Sequence, residues 1–138
     1  MSSIQRERTI EETDTFLPDF GKINNINGVM PVAVQNIDTG EIILIAYVNR
    51  EALLESIKLK LAVFWSTSRN ELWVKGATSG NYFELIEVYV NCEQNSFVYK
   101  VKSRVGGICH TKNKAGKPRN CFYRRLKLET MQFENLNP

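Results

Sequence analysis

Three cysteines and one histidine are the residues of this chain best suited to chemistry: Cys92 comes first, then Cys109 and His110 side by side, then Cys121. Three thiolates can hold a Zn²⁺ ion tetrahedrally and leave the fourth position open for water, which is the arrangement of a catalytic zinc site. The neutral imidazole of His110 is the side chain best suited to move a proton near pH 7. These residue types therefore predict a metal ion and an acid–base group in one place.

The cysteines also have a structural interpretation, because free cysteine often behaves as a small buried hydrophobe. Cys92 and Cys121 border polar segments, which weakens that interpretation. Sixteen residues separate the first two cysteines and eleven separate the last two, with no second histidine, so the compact zinc-finger pattern is not met. The spacing alone leaves a zinc site and a core role open.

Length and composition indicate one soluble domain. The 138 residues are 43% hydrophobic and 24% charged, which is enough for a real core and makes a second domain unnecessary. No apolar run reaches the roughly eighteen residues of a membrane span, and Met1 to Arg8 lacks the apolar stretch of a signal peptide. We therefore expect a cytoplasmic protein, in which an odd number of cysteines favours thiols or a metal over disulfides.

Positive charge is concentrated near the end of the chain. The formal net charge is only +3, yet seven basic residues and no acidic ones lie from Lys112 to Lys127. Nucleic acid would need a larger basic surface interleaved with aromatic residues, whereas a small phosphorylated molecule needs few such groups. The segment is then either a solvated loop or a phosphate contact, and we expect neither nucleic acid nor a membrane as partner.

Hydrophobic periodicity predicts a mostly β domain at residues 29–138, preceded by a partly ordered arm at residues 1–28. Two β-branched runs joined across Asp38-Thr39-Gly40 have the signature of a hairpin. Further strands are predicted at residues 61–65, 72–74, 84–90, 96–101 and 121–128. Every candidate zinc ligand is then at a strand end or a turn, where rigid scaffolds usually present reactive side chains.

One short helix interrupts the predicted strands. Asn49 is a good N-cap for a helix from Arg50 to Lys58. Within it Ala52, Leu53 and Ile57 fall on one face, which we expect to be buried.

The segment from Lys75 to Asn81 has the residue types of a phosphate-binding loop. Gly76 and Gly80 can free backbone N–H groups, and Thr78 and Ser79 add hydroxyl donors. The charges of Arg69 and Lys75 would neutralise an anion there. An ordinary tight turn explains the same composition. Trp65 and Trp73 are expected in the core or an interface.

Several dispersed motifs resemble phosphoribosyl-AMP cyclohydrolase, and together they cover roughly residues 30 to 125. So many motifs in the same order are more specific than a lone glycine-rich match. The motifs are Asp38-Thr39-Gly40, Asn49 to Leu53, Phe64 to Arg69, Leu72 to Asn81, Asn91-Cys92-Glu93, Cys109-His110-Thr111 and Asn120 to Tyr123.

The resemblance implies a predominantly β, α+β fold, with a mixed or antiparallel sheet forming a pseudobarrel, one short helix and an intertwined homodimer. It implies hydrolytic opening of the adenine ring of N1-(5-phosphoribosyl)-AMP at the N1–C6 bond, the third step of histidine biosynthesis. Cys92, Cys109 and Cys121 match the family's zinc ligands, which come from both subunits. His110 matches a histidine that moves protons to the ring nitrogen.

The sequence departs from the family where a second metal is bound. The pattern Asp-Cys-Asp-x-Asp, whose aspartates are associated with Mg²⁺, has Asn91, Glu93 and Asn95 at the matching positions. One carboxylate remains where a hard cation needs several charged oxygens, which argues against Mg²⁺. The family's Gly-Glu-Thr-Ser-Gly loop has Ala77 in place of its acid, and the basic loop at residues 112–118 is longer than usual.

Three functions are compatible with this pattern. The first is a divergent cyclohydrolase that works with zinc alone, or with Glu93 and a few waters holding a weak second metal. The second is a paralogous zinc hydrolase acting on another purine-like or imidazole-like nucleotide. The third is a non-catalytic zinc-binding module, in which His110 would be the fourth ligand and no position would remain open for water.

Overall fold

A computed structural model describes residues 11–18, 20, 28–77, 79–103 and 112–138, and its elements from residue 30 to residue 103 follow the order expected from the sequence. No helix in these parts of the chain is long and apolar enough to cross a membrane. The strands and helix are β1 (Met30–Asn36), β2 (Ile42–Val48), α1 (Arg50–Leu59), β3 (Val63–Ser66), β4 (Glu71–Val74), β5 (Phe83–Val90), β6 (Phe97–Ser103), β7 (Arg124–Leu126) and β8 (Phe133–Asn135).

Four strands form a mixed sheet in the order β2-β1-β6-β5. The outer pairs, β1–β2 and β5–β6, are antiparallel hairpins, and the parallel pairing of β1 with β6 joins them. The expected α+β class with a mixed sheet is confirmed. Within the described residues the sheet stays open rather than closing into a barrel, and β3–β4 and β7–β8 form separate two-stranded sheets.

The helix begins where the sequence predicts, but its buried face is rotated. The Asn49 side chain accepts a hydrogen bond of 2.8 Å from the backbone N–H of Ala52, as an N-cap does. Ser56 is buried because its hydroxyl donates to the Ala52 carbonyl and accepts from the backbone N–H of Val63 at the start of β3. Ile57 is 45% exposed, so the prediction that it faces the core was wrong.

The end of the chain differs from the predicted single strand at residues 121–128. Only Arg124–Leu126 is extended, and it pairs with Phe133–Asn135, a strand too short and too polar to give a periodic signal. A turn joins the two, in which the Met131 N–H bonds to the Lys127 carbonyl at 2.8 Å. The prediction of one long strand here was therefore wrong.

The core lies between one face of the sheet, α1 and the β3–β4 hairpin. Trp65 and Trp73 pack partly buried against it, as expected. Its fully buried side chains include Met30, Val32, Val34, Ile43, Val48, Leu53, Val63, Phe64, Phe83, Tyr99 and Val101.

Large hydrophobic side chains also remain exposed on both edge strands of the sheet. They include Ile45 and Tyr47 on β2 and Val88, Tyr89 and Val90 on β5. Groups of large exposed apolar side chains on a strand are a feature of interaction sites.

Tyr99 makes the stability of this core depend on pH. Its side chain is fully buried, and burial raises its pKa from 10.0 to about 12, against a smaller opposing effect of the Ser56 hydroxyl. The unfolded chain therefore loses this proton at a lower pH than the folded chain. The contribution is complete below pH 10 and is lost as the pH rises towards 12, by up to about 3 kcal/mol.

We predict that the free energy of unfolding of Tyr99→Phe falls less between pH 10 and 12 than that of the wild type. Urea unfolding at a series of pH values measures the difference, and Tyr47→Phe, at an exposed tyrosine, is the control. Parallel pH profiles for the wild type and Tyr99→Phe would contradict the assignment.

Candidate active site

Cys92 lies in the turn that joins β5 to β6, as predicted, and its thiol is exposed. The turn is held by Asn91, whose side-chain oxygen accepts hydrogen bonds from the backbone N–H groups of Asn95 at 2.8 Å and Ser96 at 3.0 Å. The Asn91 N–H also donates to the Ser96 carbonyl. The position of Cys92 is therefore defined by a side chain that neighbours it in sequence.

The residues at the expected magnesium positions bind one another. Asn91 Nδ2 donates to Asn95 Oδ1 at 2.6 Å, and Asn95 Nδ2 donates to Glu93 Oε2 at 3.1 Å. Direct hydrogen bonds thus link three side chains, only one of which is a carboxylate. Aspartates at these positions would repel one another and would need a cation between them. The amide groups bond directly to their neighbours instead.

The N-terminal arm also reaches this turn, which the sequence did not reveal. Gln94 is buried, and its side-chain amide bonds to the backbone of Thr15 and Leu17. A cleft of about 250 Å³ lies beside it, lined in part by Asp14 and Cys92. Neither periodicity nor a motif in residues 11–18 points to this contact.

Cys121 lies at the other hairpin of the sheet. Its backbone N–H donates to the Ile43 carbonyl of β2 at 2.9 Å, and its side chain is exposed. The neighbouring Asn120 donates to Glu41 Oε2 at 2.5 Å, and both line a cleft of about 450 Å³. Cys121 is thus fixed to the start of β2 by its own backbone.

Sheet topology holds Cys92 and Cys121 of one chain far apart. The strand pairings across the sheet place Val90, two residues before Cys92, at the same height as Ala46 on β2. Cys121 instead bonds to Ile43, three residues earlier on β2. Three strand spacings across the sheet and three residues along β2 give a backbone separation of roughly 17 Å or more. Two thiolates on one zinc ion lie within about 4 Å of each other. One chain therefore does not bring these two cysteines to the same ion.

The other predicted site residues Cys109, His110 and Thr78 lie outside the described residues. In the portions that are described, no group of three or more His, Cys, Asp or Glu side chains is placed to hold a metal ion.

The structure brings the expected loop residues Lys75, Gly76, Ser79, Gly80 and Asn81 together in one turn. Lys75 is buried and donates from Nζ to the Asn81 carbonyl at 3.0 Å, and burial lowers the pKa of its ammonium group. The Gly80 N–H donates to the Gly76 carbonyl at 2.7 Å, and the Asn81 N–H donates to Ser79 Oγ at 3.2 Å. Lys75 therefore supports the loop from inside. Two of the loop's backbone N–H groups are already hydrogen-bonded within the loop.

Arg69 lies in a different turn, between β3 and β4, where it pairs with Glu71 at 3.6 Å. It lines a cleft of about 230 Å³ together with Trp65, Trp73 and Tyr47. In the described part of the chain, the buried indole Nε1 of Trp65 has no hydrogen-bond partner. An aromatic floor with a guanidinium at its rim suits a phosphorylated, base-containing molecule.

The longer basic loop has a structural contact of its own. Lys112 and Pro118 form a β-bridge that closes it. Asn113 Nδ2 donates to Asn137 Oδ1 at 3.0 Å, and Arg119 Nη1 donates to the Asn137 carbonyl at 2.6 Å. The loop and the residue that follows it thus hold the C-terminal segment in place.

Comparisons with known proteins identify the family. The sequence model described as phosphoribosyl-AMP cyclohydrolase matches residues 44–123, which include Cys92, Cys109, His110 and Cys121. A protein of that name from Chloroherpeton thalassium is 38% identical over 117 residues, covering 85% of this chain and 79% of its own.

Two further proteins of the same name show similar agreement. The one from Hyphomonas neptunium is 39% identical over 123 residues, covering 89% of this chain and 86% of its own. The one from Archaeoglobus fulgidus is 40% identical over 100 residues, covering 72% of this chain and 87% of its own.

Gly76 and Gly80 allow a matched test of the loop. Both have positive φ, +95° and +78°, but a Cβ on Gly76 would lie 2.4 Å from the backbone N of Tyr82, whereas nothing lies within 4 Å of one on Gly80. We predict that Gly76→Ala lowers the free energy of unfolding by about 3 kcal/mol or more and Gly80→Ala by about 1 kcal/mol. Urea unfolding measures both, and equal losses would contradict this packing.

Proposed function

This chain belongs to the phosphoribosyl-AMP cyclohydrolase family, hydrolases of C–N bonds in histidine biosynthesis, and we propose that it opens the adenine ring of N1-(5-phosphoribosyl)-AMP in a zinc-dependent reaction. Water attacks C6, the N1–C6 bond breaks, and the proton goes to N1, which leaves as the nitrogen of an amidine. The observation that carries the proposal is the family match across all three cysteines and His110.

The donor set fits zinc. Cys92 and Cys121 have exposed thiols beside polar turns, so the buried-core interpretation does not hold for these two residues. Thiolates are the ligands zinc prefers, and three of them leave one position open. Zinc, when bound, supplies a water whose pKa is lowered to about 7. Cys92, Cys109 and Cys121 would hold the ion.

We assign proton transfer to His110, the sole histidine of the chain. We predict that His110→Ala retains zinc but slows turnover about a hundredfold or more, because a general acid–base group contributes a factor of that size. Metal content measured beside kcat tests the assignment. A zinc-loaded His110→Ala protein with wild-type kcat would exclude it.

The zinc site is proposed to be shared between two copies of the chain. The separation of Cys92 and Cys121 in one chain supports this arrangement, because thiolates so far apart need a second copy to meet at one ion. The exposed apolar side chains of β2 and β5 supply surface for such a dimer. In a two-fold dimer, Cys92 of each subunit would meet Cys121 of the other.

Mixing two inactive variants tests the shared site. In a refolded equal mixture of Cys92→Ser and Cys121→Ser, half of the dimers contain one chain of each kind, and one of their two sites has both cysteines. We therefore predict about a quarter of wild-type zinc content and activity, from two variants that separately have almost none. The control is a mixture of Cys92→Ser with itself. If the equal mixture also stays inactive, both cysteines act within one chain.

Mg²⁺ is not required in this proposal, because Asn91, Glu93 and Asn95 are already joined by hydrogen bonds. In the double variant Asn91→Asp, Asn95→Asp, three carboxylates would lie close together and repel one another. We predict that millimolar Mg²⁺ raises the Tm of this variant by about 4 °C, through a stabilisation of about 1 kcal/mol, and leaves the wild type unchanged. Thermal unfolding with and without Mg²⁺ measures both. A Tm increase of equal size in the wild type would mean that its turn binds Mg²⁺ as it is.

A further inference from the structure

Gln94 differs from every other residue of the turn that carries Cys92. Its side chain is 6% exposed, while Asn91, Cys92, Glu93 and Asn95 are all exposed. Its φ is +54°, a left-handed conformation that side chains other than glycine and asparagine adopt rarely. The strained backbone conformation at Gln94 thus directs its polar side chain inward. A buried amide of this kind needs hydrogen-bond partners.

Those partners are backbone groups of the N-terminal arm. Gln94 Oε1 accepts from the Leu17 N–H at 2.5 Å, and Gln94 Nε2 donates to the Thr15 carbonyl at 3.1 Å. The amide thus offers an acceptor and a donor to the backbone of two arm residues that are two positions apart. We call residues 13–17 the strap.

Aromatic contacts anchor the strap beside these hydrogen bonds. Phe16 packs edge-to-face on Phe97, the first residue of β6, with ring centroids 6.1 Å apart. Phe20 stacks on the same ring at 6.5 Å and is itself capped by the guanidinium of Arg50 at 5.8 Å. The strap is therefore attached both to the turn and to the strand that follows it.

The strap and Cys92 face a common cleft, which connects the attachment to the chemistry. Its lining includes Asp14 and Phe16 from the arm, and Asn91 and Cys92 from the turn. Within the turn the Gln94 N–H donates to the Asn91 carbonyl at 3.0 Å, across Cys92. A shift in the position of Gln94 would therefore move Cys92 through this hydrogen-bonded turn.

We propose that Gln94 is a positioning residue for Cys92, and that the strap, through Gln94, holds the turn in the conformation that binds the metal. The inference rests on the zinc site of the proposed function. Residues that orient a metal ligand without touching the metal typically change affinity tenfold to a hundredfold when they are replaced. The conformation of a turn in which Gln94 is buried and its neighbours are exposed is open to control by a segment attached to Gln94.

Two full-length variants break the attachment from opposite sides. Gln94→Asn keeps an amide and tolerates positive φ, but it is one methylene too short to reach the strap. Leu17→Pro removes the N–H that donates to Gln94 and leaves the turn itself intact, at a residue that is exposed. Gln132→Asn, the same substitution at an exposed glutamine in the β7–β8 turn, is the control.

The measurement is the Zn²⁺ dissociation constant of the metal-stripped protein, obtained by competition with a chromogenic chelator, together with the visible spectrum of the Co²⁺-loaded form. We expect each variant to bind Zn²⁺ about tenfold more weakly and to shift the Co²⁺–thiolate bands. The double variant should bind Zn²⁺ at most about twentyfold more weakly than the wild type, because both substitutions break the same attachment and their effects do not add. Gln132→Asn should match the wild type.

The results separate the two levels of the proposal. Wild-type affinity and an unshifted Co²⁺ spectrum in both variants, with faster amide exchange across the strap of Gln94→Asn, would overturn the role of Gln94 and leave the zinc site standing. A wild-type protein that binds no Zn²⁺ would overturn the zinc site and the inference together.

Discussion

Hydrogen bonding across the four-stranded sheet is the constraint on which the rest of this structure depends. The pairing of β1 with β6 sets two hairpins side by side; Cys92 lies in the turn of one, and Cys121 is hydrogen-bonded to β2 of the other. Strand spacing then keeps Cys92 and Cys121 apart by far more than two thiolates on one metal ion allow. In the proposed zinc site one chain alone would be incomplete, and the exposed apolar side chains of its edge strands would lie in the proposed dimer interface.

In the loop at Lys75–Asn81, the charged side chain of Lys75 has a structural role. Lys75 gives up part of its preference for the charged form by being buried, and its ammonium group is held by the Asn81 carbonyl and the ring of Phe83, 5.0 Å away. Gly76 approaches the backbone of Tyr82 so closely that only a hydrogen fits at its α-carbon. The loop is therefore preorganised, with its exposed surface left for other contacts.

The sequence predicted best what local physics decides. The β1–β2 hairpin, the Asn49 cap and the position of Cys92 in a turn all follow from short-range patterns, and each is present. Ile57 was misplaced because the Ser56 hydroxyl bonds to the backbone of Val63 in β3, a tertiary contact that outweighs the helical apolar pattern. The parallel β1–β6 pairing and the bond between Gln94 and the strap join residues more than sixty positions apart, and no local signal encodes such contacts.

The most direct test of zinc-dependent ring opening is a titration of the metal-stripped protein with Zn²⁺ in the presence of N1-(5-phosphoribosyl)-AMP and the absence of Mg²⁺. The absorbance change on ring opening reports turnover. We predict activity that is absent without metal and rises in proportion to bound zinc until the site is filled. A folded, zinc-loaded protein that leaves this substrate intact would contradict the account and would point to a paralogous hydrolase of another nucleotide.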